Sequence, residues 1–384
     1  MDDEAETNAP AAAGKNAGPE TVTDPPNDLE DSAEEGKCYG RPLGDALVYF
    51  EEKFAASLTD NDLSALNLQW RHRLVVRVFS VAGTLAVIFS ILHVTRLLAL
   101  KEHLQLTKVL ALGLFFGEAL AVLIALAAVT AGLILHFQSS WLETRHKAEL
   151  FRLLKFGSII DPAMLTGKEE AFKEWKARLY EAGQKIESID RDSLHGWVKE
   201  SGFPIQSVPP LTEQIESQTI QDLLDYYQRE RLNPQTNYFD ERANRNLRWD
   251  WLTRRLPPSL FFGSVLFATL HLGLELLEFA KLGWGGYFDR WVHVVSPASV
   301  IFIILAGILP VLGAGLRGLR SAYEFSRNTL RFRANHFALE LLSKRLLTET
   351  RPEAILRDLW WCEWMLEAEH REWLRLMIEA EWIG

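Results

Sequence analysis

Cysteine is scarce in this chain of 384 residues. Cys38 and Cys362 lie far apart, with no Cys-x-x-Cys pair and no Cys/His cluster, which excludes zinc-ribbon spacing and a disulfide scaffold. A basic surplus is also missing. The formal net charge is −10, and the first 36 residues carry all of it, with eleven acids against Lys15 alone. The remainder is electrically neutral, so net charge gives a nucleic-acid partner no support. There is no GxSxG, HExxH, Walker or strand-linked GxGxxG pattern. An enzyme is therefore not expected, nor a cofactor or metal site. The first forty positions are polar, which excludes a secretory signal within them.

What the chain does have is apolar length. Residues 78–95 hold no Asp, Glu, Lys or Arg, and 109–137 hold Glu118 as the only formal charge. Residues 257–274 are uncharged and extend apolar to 280 apart from Glu275 and Glu278, while 291–316 contain no formal charge. Each run is long enough to cross a hydrocarbon layer of ~30 Å as a helix. The expectation is an all-α membrane protein with four transmembrane helices in two hairpins, at about 74–95, 109–137, 257–279 and 291–316, with cytoplasmic helical extensions.

Orientation follows from the basic residues, which are retained on the cytoplasmic side. Sixteen flank the hairpins at their open ends: Arg71, Arg73, Arg77, Arg145, Lys147, Arg152, Lys155, Arg245, Arg248, Arg254, Arg255, Arg317, Arg320, Arg327, Arg331 and Arg333. The short connecting loops carry five: Arg96, Lys101, Lys108, Lys281 and Arg290. Both termini are expected in the cytoplasm.

Composition divides the chain into an acidic disordered tail (1–41), a first two-span unit (42–192), a linker rich in Pro and Gly (193–210) and a second two-span unit (211–384). A short helix is expected from Pro42, with Leu43, Leu47, Phe50 and Phe54 at helical spacing, and a break near Asp161-Pro162. Glu170, Glu174 and Arg178 are spaced to pair on one face, as are Glu367 with Arg371 and Arg375 with Glu379 on a solvated face of the last helix. The opposite face, with Trp360, Trp361, Trp364 and Trp373, reads as helix packing, with a ligand cage as the alternative.

The run DYYQRERLNPQTNYFDERANRNLRW before a two-span hairpin, with WWCEWMLEAEHREWL near the end, resembles the SLATT family of SMODS- and SLOG-associating two-transmembrane effectors. The matching positions are Tyr227, Arg231, Leu232, Gln235, Tyr238 and Ala243, then Glu363, Glu369, Glu372 and Trp373. The resemblance covers about residues 220–384, and the first half reads either as a second copy or as convergence of basic flanks. It implies a bacterial inner-membrane effector of a conflict or anti-phage defence system, which forms a homo-oligomer and permeabilises the bilayer when a sensor protein or nucleotide signal triggers it. The alternatives are a membrane-anchored helical interaction platform without a pore, or a constitutive ion channel. Arg231, Gln235, Tyr238 and Arg242 share one face if the helix continues through Pro234; Asn233 capping a new helix is the alternative.

Two sets of membrane residues remain. Glu118, with His271, Glu275 and Glu278 on one face of the third span, is a candidate polar path, or else the latter three sit at the outer headgroup level. Gly113, Gly117, Ala121, Ala125, Ala128 and Gly132 recur every three or four residues along the second span. Such a stripe suits close helix packing, within the chain or between subunits.

Overall fold

A computed structural model describes residues 38–99, 106–190, 193–194, 196–197, 215–281, 289–323 and 325–379. The expected acidic tail lies outside these up to residue 37, as does the linker apart from Ser193, Leu194, Gly196 and Trp197. The described residues are helical, with no strand among them.

The first helix, α1 (Leu43–Ala99), does not stop where a short helix was expected. It continues for 57 residues, roughly 85 Å at 1.5 Å per residue. Thr59, Asp60, Asn61 and Asp62 are poor helix formers, and they mimic a boundary. Tertiary contacts override them: the Asp62 carboxylate accepts from Arg152 at 2.6 Å and from Arg145 at 3.3 Å instead of capping a new helix. Next come α2 (Leu106–Leu135) and α3 (Phe137–Ile159), separated by His136 in a left-handed conformation at φ 49°. The second apolar helix therefore ends two residues before the expected boundary.

Asp161 then caps the short α4 (Pro162–Leu165), its Oδ1 accepting from the Ala163 N–H at 2.9 Å with Pro162 in the first turn. Arg178 of α5 (Glu169–Glu187) turns to the same Asp161 at 2.8 Å, not to Glu174, because that carboxylate is fixed by the cap.

The second half begins with α6 (Ser217–Tyr227), a π turn (Gln228–Leu232) and α7 (Asn233–Lys281). Asn233 is not a cap. It has right-handed helical angles and its N–H reaches the Gln228 carbonyl, so the wider π turn carries the chain past Pro234 without a break. The remaining helices are α8 (Asp289–Tyr323), α9 (Phe325–Leu346) and α10 (Pro352–Glu379).

Among the described residues, four helices are long and apolar enough to cross a membrane: α1, α2, α7 and the run that α8 starts. Within their most apolar windows only 6–11% of residues are buried inside the protein. Phe79 and Val87 on α1, Phe116 and Leu123 on α2, Phe262 and Leu276 on α7, and Ile301 on α8 all face outward. Exposed apolar surface on this scale is untenable in water and natural in lipid.

α1 packs on α2 and α3, α7 packs on α8 and α9, and α1 meets α8 between the two sets. Below the apolar windows lies one hydrophobic core drawn from both halves of the sequence. Leu47, Phe50, Phe54, Phe151 and Phe156 come from the first half; Leu223, Tyr226, Leu342, Leu356 and Leu359 come from the second.

The last helix buries only part of the tryptophan-rich face: Trp360 and Trp373 pack with Leu356, Met377 and Ile378, as expected, but Trp361 and Trp364 do not. Ile355, Leu359, Cys362, Leu366, His370 and Leu374 point inward, while Trp361 and Trp364 are exposed. The inward residues are spaced three and four apart, and Trp361 and Trp364 fall off that seam. For the same reason Glu367 is buried and not solvated, held by Arg371, whereas Arg375 and Glu379 do pair in the open at 2.9 Å.

Candidate functional site

Three buried polar groupings occupy the junction between the apolar helices and the core. The first joins the two ends of the second half. Arg231, in the π turn, donates through Nε and Nη2 to the two oxygens of Glu363 on α10, both at 3.1 Å, and the Tyr227 hydroxyl donates to Glu363 at 2.5 Å. Arg231 and Glu363 are each about 1% exposed. A forked, charge-assisted pair is the geometry that best compensates two desolvated ions. Burial pushes the Tyr227 hydroxyl well above its ordinary range and the Cys362 thiol up to about 12, the latter with Glu363 adding to it. Cys362 is thereby an inert packing residue.

The second grouping ties α1 to α3. Asp62, Arg145, Glu149 and Arg152 form a chain of contacts in which Glu149 receives Arg152 Nη1 at 3.0 Å and is also held by Arg145. Burial alone would raise the Glu149 carboxyl, but the two guanidiniums take it down to about 2.

The third is a pair of imidazoles. His146 Nδ1 stands 3.0 Å from His370 Nε2, linking α3 to α10, with Trp197 edge-on at 4.2 Å from His146. Burial lowers both, His146 to about 2 and His370 to about 4, so both are neutral at pH 7.

Between these groupings lies a cavity of about 200 Å³. Both halves of the chain send residues to it: Gln69 and Arg73 from α1, Arg145 and Glu149 from α3, Arg231 from the π turn, Gln235, Tyr238, Arg242 and Asn246 from α7. Asn328 and Arg331 come from α9, and Glu369, His370 and Trp373 from α10. Five arginines therefore face two glutamates across the lining. Immediately behind it, Arg152 pairs with Asp62 at 2.6 Å and Glu363 pairs with Arg231. Burial pushes the Glu369 carboxyl above its ordinary value against the pull of Arg331, whose Nε lies 3.4 Å away. Arg73 is adjacent to Leu74, where the apolar part of α1 begins, and Phe325 stands two residues past the end of α8. The cavity sits at the foot of the apolar helices.

The residues singled out from sequence fall into distinct places. Of the motif, Tyr227 and Arg231 make the buried pair with Glu363, and Gln235, Tyr238 and Trp373 line the cavity. Trp373 also meets Trp141 edge-on at 5.6 Å. Glu372 stands apart on the surface, pairing with Arg327 at 2.8 Å. Glu118 is partly buried on α2, far in sequence from the cavity-lining residues. His271 Nδ1 is 2.7 Å from the Ser299 hydroxyl, joining α7 to α8. The side chains of Glu275 and Glu278 lie outside the described residues.

The small-residue stripe faces inward in part. Ala121 and Ala128 are buried, and a Cβ on Gly117 would meet the Phe89 ring of α1 at 3.3 Å, while Gly113 faces open space. Ala125 and Gly132 are half-buried.

Sequence reasoning missed Asp62, Glu149, Asn246 and Asn328 altogether. Arg73, Arg145 and Arg331 were visible only as part of the basic bias that sets orientation, which does not separate a topological arginine from one that lines a cavity. Among the described residues no His, Cys, Asp or Glu group is placed to hold a metal ion. No protein family, curated protein or solved structure matches the chain.

Proposed function

We propose that the protein is an effector of the bacterial inner membrane. Its four apolar helices form two transmembrane hairpins, with both termini and the helical core in the cytoplasm. In this reading it assembles as a homo-oligomer and permeabilises the bilayer when a sensor protein or nucleotide signal reaches the core. The observation that carries the reading is the outward-facing apolar surface on the four apolar helices, of which α1 and α7 continue into the helical core. The sixteen-to-five bias of basic residues supports the orientation. The resemblance of the Tyr227–Ala243 run to SLATT effectors, and of the first half to a worn copy of it, supports the role in defence. The recurrence of one packing order, with a leading long helix touching the two that follow it in α1–α3 and again in α7–α9, supports the tandem arrangement.

Purified protein in sealed liposomes is expected to release a trapped dye when the trigger is supplied. Vesicles that stay tight while the trigger is bound would contradict the reading.

A second reading, a membrane-anchored interaction platform, is favoured by one observation: much of the small-residue stripe is spent against α1 of the same chain, which leaves less of it for contact between subunits. Glu118→Gln separates the two. Loss of leakage with normal insertion supports a conducting assembly, and unchanged behaviour supports the anchor.

A further inference from the structure

We propose that the outer face of α9 is where two copies of this chain meet, in a short parallel seam of two helices on the cytoplasmic side of the apolar helices. This deepens the reading above by naming the contact surface of the homo-oligomer, and rests on it for the shared orientation of copies inserted in one bilayer.

One side of α9, with Thr329, Leu339, Leu342 and Leu346, is buried in the core. Its other side is apolar as well: Leu330 is 71% exposed, Phe337 59% and Leu341 51%, with Ala334 exposed between them. These four are 4, 3 and 4 apart, the alternation of a coiled-coil seam, and Arg327 and Lys344 close it at either end. Lipid does not reach the far part of this stripe. α9 runs back along α7, with the Ser326 hydroxyl on Asp250 at 2.5 Å, the Phe332 ring 5.8 Å from Phe239, and His336 Nδ1 3.2 Å from the Thr236 carbonyl. Phe337, next to His336, therefore stands about 30 Å along α7 from Pro257, where the apolar stretch begins. An apolar stripe held that far into water marks a protein contact.

Three observations make a second copy the occupant. Copies in one bilayer enter it in the same direction, so their α9 helices meet in parallel and at equal depth, which sets each of the four stripe residues opposite its own counterpart. In such a seam a residue flanking one copy's stripe faces the residue five positions further on in the other, so Glu340 faces Arg345 of the partner subunit. Both side chains are roughly half exposed and have capacity left: Lys344 sits on Glu340 Oε1 at 2.8 Å while Oε2 comes no nearer than 4.0 Å to His336, and Arg345 holds Asp358 through Nε alone. Arg333, one heptad earlier on the same flank, faces Ala338 of the partner subunit, so no like charges oppose one another between the two ends of the seam. The small-residue stripe of α2 is largely spent against α1, so an assembly needs a further surface, and α9 supplies one.

The test uses the full chain carrying Cys38→Ser, reconstituted in liposomes at low protein density and oxidised with copper phenanthroline; Cys362 is buried and stays. Ala334→Cys, on the stripe, is expected to give disulfide-linked dimers, and Tyr180→Cys, exposed on α5, is not. Adding Phe337→Glu to the Ala334→Cys chain should lower linkage by about tenfold or more, the worth of a large apolar side chain kept from burial. Glu340→Lys should lower it by about two- to fivefold, a difference that salt at about 1 M erases. Phe337 is exposed in the single chain, so an unchanged urea midpoint is expected for Phe337→Glu, and Leu330→Glu takes its place if the midpoint moves. Equal linkage at Ala334 and Tyr180 overturns the proposal, as does linkage at Ala334 that the acidic substitution leaves unchanged. No linkage at Ala334, in a parent that single-molecule photobleaching counts as an oligomer, overturns the seam and leaves the homo-oligomer standing on another surface, with the stripe free for a different protein. A parent counted as a monomer removes both. Dye release is read separately: linked dimers in vesicles that stay tight with the trigger bound keep the seam and remove the permeabilising role.

Discussion

Replacing Glu363 by Gln gives the sharpest test of how the core is held. The carboxylate receives three charge-assisted or hydroxyl hydrogen bonds, from Arg231 at 3.1 Å twice and from Tyr227 at 2.5 Å, in a place about 1% exposed. The amide is nearly isosteric, so packing is preserved and the change is electrostatic. It leaves the Arg231 guanidinium desolvated without its counter-charge, at a cost of about 3–5 kcal/mol. Removing the whole set with Arg231→Met, Glu363→Met and Tyr227→Phe costs much less, because no ion or hydroxyl is then stranded. Urea titration in detergent micelles, followed by tryptophan fluorescence, reads both. The triple variant should be more stable than Glu363→Gln alone. A loss below about 1 kcal/mol for Glu363→Gln would refute the reasoning, since a buried pair broken on one side does not come so cheaply.

Gly183→Ala on α5 would drive a Cβ into the Phe54 ring, which is itself wedged against Phe50 and Phe151, so a loss of about 1–3 kcal/mol or more is expected in the same titration. Asp62→Asn removes the counter-charge that Arg152 meets at 2.6 Å while Arg152 is 1% exposed; it should lower stability by a comparable amount and expose the middle of α1 to hydrogen exchange. The imidazole pair makes stability pH-dependent: His370 binds a proton near 4 when folded and near 6.5 when unfolded, so its contribution is complete above pH 6.5 and is lost as pH falls toward 4. A double His146→Gln, His370→Gln variant should show a flatter midpoint-against-pH profile over that window, and an unchanged slope would exclude the pair as its origin.

The apolar helices were legible from sequence because a run of eighteen or more residues without charge has few uses other than crossing lipid. The arrangement of the core was not. The Thr59–Asp62 stretch reads as a helix end by local preference, and only the arrival of Arg145 and Arg152 from α3 makes Asp62 a mid-helix residue. Pro234 likewise reads as a break, and a π turn that no local pattern announces absorbs it. Tyr227, Arg231 and Glu363 were visible as motif positions through a family resemblance, yet their pairing spans more than a hundred residues and no periodicity links them. The cavity was hidden for a different reason. Its arginines lie among residues that the orientation bias explains equally well, so their convergence is a property of the packed helices alone.

The most direct test of the central claim is sidedness on either side of α1. Cys38 is exposed before α1, Cys362 is buried, and residue 103 lies in the segment connecting α1 to α2. A membrane-impermeant maleimide is applied to sealed inside-out and right-side-out vesicles carrying either the natural chain or Cys38→Ser with His103→Cys. The natural chain should label only in inside-out vesicles and the substituted chain only in right-side-out ones. Labelling of both from the same face would mean that α1 does not cross the bilayer.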